Sequence, residues 1–335
     1  MIIDIHGHVS APMRLYAWKS ELLAARGSHG RGHLSFSDDQ IRDALHAPLP
    51  PFGGMSHIEH LDAVGIDVQL TSPRPFQAMH SESPARIVEW FNEGVNDTIA
   101  RVCSVMPERF RGIGGLPQSP ELEPRIWAKE IRRCVEELGF VGVLINPDPY
   151  EGTQVPPAMG ERYWYPLYET LCELDVPAMI HSAGCRPPAR ESYSLHFVAE
   201  ETISVISLLQ SQVFQDFPTL KLIVPHGGGA IPYQIGRFAS AATRGSGPSF
   251  DEQVRQLWFD SCLYTQAGVN LLVDTIGADR VLLGTEKPGT GSSKDPSGRW
   301  YDDVPSLVRA VPGLSAEDQD KILGGNARSL FRLGG

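Results

Sequence analysis

Short apolar runs alternate with segments of helical periodicity along the chain. Eight runs rich in β-branched residues predict strands, at 2–8, 68–74, 110–116, 141–146, 178–181, 220–226, 257–264 and 281–286. Their apolar positions are continuous rather than alternating, which is typical of parallel strands buried on both faces. Eight strands separated by helices predict an α/β protein with a (β/α)8 TIM barrel. An open, doubly wound sheet is the alternative, because periodicity alone does not distinguish the two.

The segments between these runs predict helices. Those with the clearest 3.6-residue period lie at 84–101, 126–138, 163–174, 198–217 and near 315–331. Ser83 stands where a cap of the first helix is expected, and Pro84 occupies its first helical position, where proline is favoured. The helices thus fill the crossovers that a parallel barrel requires.

Segment 9–67 interrupts this alternation. It contains the basic, glycine-rich stretch RGSHGRG and two expected capping boxes, Ser37 with Gln40 and Ser56 with Glu59. Long connections in compact domains are often functional. Because the segment follows the first strand, we expect it to form a lid over the active face of a single domain spanning 1–335.

Composition narrows the classes of protein and of partner. The chain has 335 residues, 41% of them apolar, with a formal net charge of −11 and no run of Lys and Arg. This balance argues against a nucleic-acid partner. No run approaches the roughly 20 apolar residues of a membrane helix, so no membrane partner is expected. Five cysteines without metal-finger spacing, and no signal peptide, favour a reduced protein of the cytoplasm.

Polar residues stand where several of the predicted strands end. His6 and His8 close the first strand, and residues two apart on a strand point to the same side. Two imidazoles facing the mouth of a barrel are natural metal ligands, and Gly7 between them would let the backbone approach the metal. The alternative is two structural polar residues at a strand end.

Three further strands end in the same way. His181 ends the fifth, His226 the sixth and Glu286 the eighth. Catalytic groups of such barrels sit at these strand ends. The glycines that follow His226 are expected to leave backbone N–H groups open to a substrate oxygen. Together these residues predict a metal-dependent active site at the C-terminal mouth.

This set of strand-end residues resembles the amidohydrolase superfamily over nearly the whole chain. The resemblance implies that His6, His8 and His181 are metal ligands and that His226 is the strand-six histidine. Glu286 stands where aspartate is usual, and is the expected fourth ligand. Strand four ends in NPDP, without the lysine of binuclear members, which favours one divalent metal. Zinc suits the histidines, and manganese is the alternative.

The ending GNARSLF is similar to the branch of decarboxylases, hydratases and carbon–carbon hydrolases of aromatic-acid catabolism. The segments HGHVSAP, RGSHGRG, SPRPFQ, NPDPYE, RYWYPLYE, YSLHF and HGGGAIPYQ resemble the zinc-dependent hydrolases of meta-cleavage products in lignin-derived biphenyl breakdown. We therefore expect hydrolysis of a carbon–carbon bond in a small anionic, aromatic-derived substrate. A 4-oxalomesaconate-type hydratase, a non-oxidative decarboxylase and a metal-binding protein without catalysis are the alternatives. Lys287, a cation beside the metal acid, departs from the pattern.

Roles for individual side chains follow from their chemistry. We expect His226 to be the acid–base group, because its ordinary pKa lies close to working pH. Glu286 can serve as ligand or base, and Tyr193 can bind an enolate oxygen. The expected substrate-binding residues are Arg74, Arg237, His29 and His196. Arginine suits a carboxylate because its planar fork binds both oxygens. Barrels of this branch are often dimers, so a homodimer or higher homo-oligomer is expected.

Overall fold

The computed structural model describes residues 1–187, 193–242 and 249–334. Its strands are β1 Ile3–His8, β2 Val68–Ser72, β3 Phe110–Gly114, β4 Gly142–Ile145, β5 Ala178–Ile180, β6 Leu222–Val224, β7 Trp258–Asp260 and β8 Val281–Leu282. They form one sheet in sequence order, and every adjacent pair is parallel. All eight predicted strands are confirmed, with shorter bounds at most of their ends.

Backbone hydrogen bonds bring the last strand back to the first. The Ile5 N–H donates to the Leu283 carbonyl oxygen at 2.9 Å, and the Glu286 N–H donates to the His6 carbonyl oxygen at 2.8 Å. The sheet is therefore a nearly closed barrel, and the predicted (β/α)8 TIM fold is confirmed over an open sheet.

Helices fill the connections between the strands. The α-helices of the described ranges are α1 Met13–Ala25, α2 Asp38–His46, α3 His57–Ala63, α4 Ala85–Val105, α5 Pro124–Arg132, α6 Tyr165–Leu174, α7 Ser194–Leu209, α8 Val213–Asp216, α9 Ile231–Ala242, α10 Phe250–Val254, α11 Gln266–Ile276, α12 Val304–Arg309, α13 Ala316–Asp320 and α14 Asn326–Leu330. Among the described residues, none of these helices has the length and apolar character needed to cross a membrane.

Several helix bounds differ from prediction for local reasons. Helix α4 begins at Ala85 with Pro84 as its N-cap, and the Ser83 hydroxyl bonds to Glu121 instead of capping. The helix expected at 198–217 begins earlier, at Ser194, and is two helices, α7 and α8, separated around Ser211. The helix expected near 315–331 is broken at Gly324, where a side chain would meet the Met1 carbonyl oxygen.

Two hydrophobic clusters stabilise the barrel. The outer one lies between the sheet and its helices. The inner one fills the barrel with Ile3, Ile5, Val68, Leu70, Ile113, Leu144, Met179, Ile223 and Leu282. Leu330 and Phe331, from the end of the chain, join this inner cluster next to the beginnings of the strands. The interior is thus packed with side chains, and the site is confined to the opposite end.

Segment 9–67 folds into α1, α2 and α3 and packs on the barrel. Both predicted capping boxes are present, at Ser37 and Ser56. Trp18 of α1 is fully buried and its ring contacts Phe91 of α4. His57 of α3 is buried and hydrogen-bonded to Gln69 of β2 at 2.8 Å. The segment is therefore anchored to α4 and β2 by buried contacts, and its action as a lid stays a prediction.

The alternation of inward- and outward-facing side chains along β1 is interrupted by a bulge just before the mouth of the barrel. Its register against β2 shifts between Asp4 and Gly7. Ile5 and His6, although consecutive, both line the same cavity inside the barrel. A bulge of this kind re-aims side chains. It lets one short strand contribute Ile5 to the core and both His6 and His8 to the mouth.

Gly7 is required by its packing against β2, and its closeness to a metal stays a prediction. A Cβ at this position would overlap the carboxamide of Gln69. That carboxamide donates to Asp4 at 2.7 Å and to the Lys287 carbonyl oxygen at 2.6 Å, and it accepts a hydrogen bond from His57. Gly7 therefore leaves room for a buried amide that joins β1, β2, α3 and the end of β8.

We predict that Gly7→Ala lowers the free energy of unfolding by about 1–3 kcal/mol, because the added methyl displaces the Gln69 amide. Urea unfolding followed by circular dichroism measures this change. Gly236→Ala is the matched control, since its Cβ would meet nothing within 4 Å. That change, within α9, should keep or raise stability by up to about 1 kcal/mol. Equal stability of the two variants would contradict the packing argument.

Candidate metal centre and active site

Four predicted ligands from three places along the chain meet at the mouth of the barrel. His6 and His8 come from β1, His181 follows β5 and Glu286 follows β8. One ligand atom from each lies within 4.8 Å of all the others, and all four residues are buried. Three imidazoles and one carboxylate form a donor set typical of a divalent metal site.

Each histidine of this cluster has its Nδ1 atom held by the protein. His6 Nδ1 lies 2.6 Å from Asp260 Oδ2, and His181 Nδ1 lies 2.8 Å from the Ser182 carbonyl oxygen. Both partners are acceptors, so both Nδ1 atoms carry the proton. The unprotonated Nε2 atoms are then free to bind a cation, an orientation usual for metal-binding histidines.

A serine fixes His8 in the same tautomer, with the proton on Nδ1. Its Nδ1 atom lies 2.8 Å from Ser72 Oγ, and this hydroxyl donates its proton to the Gly7 carbonyl oxygen at 2.9 Å. Ser72 therefore accepts from His8 Nδ1, and His8 Nε2 is left as the metal-facing atom. Burial, reinforced by the neighbouring histidines, lowers the pKa of His8 well below its ordinary value.

The unprotonated Nε2 atoms of the three histidines indicate a bound cation. His8 Nε2 is buried and has no hydrogen-bond partner among the described residues. His6 Nε2 and His181 Nε2 face each other at 3.1 Å although neither carries a proton in these tautomers. Orphaned acceptors of this kind are costly unless they share a cation. The four residues therefore fit one divalent metal ion.

Glu286 is fixed by its neighbours on both sides. Its own backbone has a positive φ of 57°. Thr285 before it donates two hydrogen bonds to Asp4. Lys287 after it points away from the ligands, into a fully buried ion pair with Asp302 at 2.6 Å and over the ring of Trp300. The cation beside the metal acid therefore belongs to the packing of the loop and lies outside the ligand cluster.

His226 lies beside the ligand cluster and is paired with a buried acid. Its Nδ1 atom is 2.9 Å from Glu201 Oε2, and its ring stacks on Phe197. Burial alone would lower the pKa of His226, but the charge of Glu201 raises that pKa to about 10. Burial raises the pKa of Glu201 to about 7. The pair can hold a proton next to the metal centre.

The glycines after His226 do not provide the open N–H groups that were expected. Gly227 donates to Asp260, Gly228 to the Pro225 carbonyl oxygen and Gly229 to the His226 carbonyl oxygen. All three have positive φ and closely approach neighbouring groups, so glycine is needed for packing and backbone conformation. That expectation was wrong.

Arg74 and Tyr193 lie on the rim near the ligands. Arg74 follows β2, beyond the strand end at Ser72, is half-buried, and donates from Nε to the Val9 carbonyl oxygen, one residue after His8. Tyr193 is the N-cap residue of α7, and its hydroxyl accepts a hydrogen bond from Thr290 at 3.2 Å. Burial and the charge of Glu286 raise the pKa of Tyr193. Both substrate roles stay predictions.

Three other predicted residues are not brought into the ligand cluster. Arg237 is exposed on α9, and His29 is exposed between α1 and α2. His196 lies in the first turn of α7, rather than in a loop, and its ligand atom groups with those of Asp148 and Glu200. Substrate binding by these three side chains stays a prediction.

Sequence reasoning missed three residues that hold the site in place. Asp260 orients His6, Glu201 pairs with His226, and the Tyr264 hydroxyl donates to Glu286 at 2.9 Å. Asp260 ends β7 in the structure, but the run predicted at 257–264 placed it inside the strand. Glu201 had no signal, because a glutamate on a helix usually faces solvent.

Comparison with known proteins defines the class. The family model described as Amidohydrolase matches residues 3–333, so the chain belongs to the amidohydrolase family and is an enzyme of that family. The 2-keto-4-carboxy-3-hexenedioate hydratase of Sphingobium sp. SYK-6 is 39% identical, over 99% of this chain and 96% of its own length. The predicted superfamily membership is confirmed.

Solved structures extend the comparison. 4-Oxalomesaconate hydratase from Rhodopseudomonas palustris has a TM-score of 0.87 and 33% identity, covering 99% of this chain and 96% of its own. A dihydroxybenzoic acid decarboxylase from Polaromonas sp. JS666, solved with bound manganese and 2-nitroresorcinol, has a TM-score of 0.72. It covers 99% of this chain and 97% of its own, and at 22% identity it shows a shared fold alone.

These relatives correct the expected reaction. The distinctive segments were expected to indicate a carbon–carbon hydrolase, but the relatives described above are hydratases and a decarboxylase, and carbon–carbon hydrolysis is not supported. The error has a physical cause. The ligand set is common to several reactions on anionic catabolites, so strand-end residues define the class without defining the bond that changes.

We predict that Asp260→Asn weakens divalent metal binding by about ten- to a hundredfold, because His6 loses the charged partner that fixes its tautomer. A competition titration against a chromophoric chelator measures the dissociation constant. Asp274→Asn on α11, an exposed side chain outside the ligand cluster, is the control and should bind metal as the unaltered protein does. Equal affinities for all three proteins would contradict the assigned role.

Proposed function

We propose that this protein is a metal-dependent hydratase acting on an unsaturated oxo acid with several carboxylates, of the 2-keto-4-carboxy-3-hexenedioate type. The observation that carries the proposal is the His6, His8, His181 and Glu286 cluster beside a His226–Glu201 pair, in a chain that matches such a hydratase over 99% of its length. The runner-up, non-oxidative decarboxylation, has support from related decarboxylases that are less similar in sequence to this chain than the hydratase is.

The chemistry of such a substrate defines what the site must do. Its keto group is conjugated with a carbon–carbon double bond, so electron density drawn toward the keto oxygen makes the β carbon electrophilic. Hydration places a hydroxyl on that β carbon and a proton on the neighbouring carbon. No carbon–carbon bond breaks. The enzyme has to polarise the oxo acid, present water and deliver one proton.

The metal centre would polarise the oxo acid. A divalent ion held by the four ligands would supply Lewis acidity toward an oxygen of substrate or water. Three imidazoles suit zinc, whereas the carboxylate also suits manganese, the metal present in the decarboxylase structure described above. The chain's own contribution is to hold the three Nε2 atoms and one carboxylate oxygen in a buried cluster.

His226 is our candidate for the group that delivers the proton. Its Nδ1 atom is engaged by Glu201, whose charge favours the protonated ring. Its Nε2 atom makes no hydrogen bond to the described residues, and the ring is slightly exposed. We assign His226 the delivery of a proton to the carbon next to the keto group, with Glu201 holding the ring in position.

Arg74 is our candidate for carboxylate recognition. The guanidinium is half-buried beside the chain that carries His8, and its Nε atom is already bound to the Val9 carbonyl oxygen. Its terminal nitrogens suit a carboxylate of the substrate. Tyr193, the N-cap residue of α7, is the candidate partner for the enol oxygen.

The proposal predicts turnover of synthetic 2-keto-4-carboxy-3-hexenedioate by the metal-loaded protein. The conjugated enone absorption should disappear, and mass spectrometry should show one product heavier by one water molecule. Chelation should abolish the reaction and added metal should restore it. 2,6-Dihydroxybenzoate, assayed in parallel, should release no carbon dioxide. Carbon dioxide release without hydration would instead place the chain among the decarboxylases.

A second prediction concerns the proton. His226→Asn should lower kcat for hydration by about 10²–10⁴-fold, because it removes the general acid. Metal affinity should change little, because His226 is assigned no ligand role. His33→Asn, an exposed histidine between α1 and α2, is the control and should retain full turnover. Loss of bound metal in the His226 variant would instead identify this ring as a ligand.

A further inference from the structure

Tyr264 lies in the connection after β7 and contacts the metal cluster from outside. Its hydroxyl donates to Glu286 Oε2 at 2.9 Å. The other carboxylate oxygen, Oε1, lies 4.0 Å from His8 Nε2, on the side of the ligand cluster. The two oxygens of Glu286 therefore have separate neighbours, the phenol for Oε2 and His8 Nε2 for Oε1.

The phenol is the donor toward Glu286, because a carboxylate oxygen can only accept. The Cys262 thiol, 3.5 Å away, donates to the same hydroxyl oxygen. The result is a neutral donor chain from the thiol through the phenol to Glu286.

The position of the ring is set by packing. A Cβ at Gly291 would lie 2.7 Å from Tyr264 Cε1 and 2.9 Å from the Cβ of Asp302. The absence of a side chain at Gly291 thus lets the loop after β8 pack closely against the ring of Tyr264. Asp302 belongs to the same loop and is fixed by the buried ion pair with Lys287. The hydroxyl is therefore aimed at Glu286 by the surrounding fold.

We propose that Tyr264 is a positioning residue that holds Glu286 as a one-oxygen ligand by occupying its Oε2 atom. The inference rests on the metal centre of the proposed function. A carboxylate can bind a metal through one oxygen or two. Committing one oxygen to a phenol leaves a coordination position for an oxygen of water or substrate, which a catalytic site has to keep open.

Tyr264→Phe tests this role, because it removes the hydroxyl and preserves the ring. We expect the dissociation constant for Zn²⁺ or Mn²⁺, measured by calorimetric titration of metal-free protein, to rise about ten- to a hundredfold, because Glu286 loses the hydrogen bond that orients its ligand oxygen. Tyr168→Phe is the matched control. Tyr168 is also buried, and its hydroxyl donates to the Met159 carbonyl oxygen at 2.7 Å, within the outer core.

Both variants lose one buried phenol hydrogen bond, so both should unfold at a lower urea concentration. Only Tyr264→Phe should lose metal affinity. Equal metal affinity in Tyr264→Phe and the unaltered protein would overturn the positioning role, as would an equal loss in Tyr168→Phe. Failure of the unaltered protein to bind any divalent ion would overturn the metal centre itself, so the two failures are distinguishable.

Discussion

The active site depends on how the barrel closes. The hydrogen bond from the Glu286 N–H to the His6 carbonyl oxygen joins the end of β8 to the end of β1. It thereby sets two of the ligands side by side, although they lie at opposite ends of the sequence. A parallel barrel brings all its carboxyl strand ends to one rim, and His181 and Asp260 arrive there by the same geometry. The hydrogen bond that closes the sheet therefore also brings the candidate ligands together.

Around this closure lies a buried polar network that is distinct from the ligands and supports them. Asp4 accepts hydrogen bonds from Thr285 and Gln69, and Gln69 reaches the backbone of Lys287. Burial raises the pKa of Asp4 to about 6. Each of these groups is satisfied by another, as a buried network requires. The same network explains why β1 needs glycine between its two histidines.

The strands, and the clustering of the four candidate ligands at one end of the barrel, were predictable from sequence because each follows a one-dimensional rule: an apolar run that ends in a side chain able to bind metal. Other features depend on contacts between distant parts of the chain. Glu201 reaches His226 from a helix, and Gly324 breaks the last helix because it approaches the N-terminus. The reaction was misjudged for a related reason, since local segments resembling a hydrolase do not specify which substrate bond faces the metal.

The folding order of the chain follows from the position of its ligands. His6 and His8 come from the first strand of the barrel, whereas Glu286 follows the last strand, and Leu330 and Phe331 join the interior from the segment beyond it. Contacts of such sequence separation form late, because the entropy of closing a long loop must be overcome first. A growing chain on the ribosome therefore carries only an incomplete metal site, and selective metal capture belongs to the finished barrel.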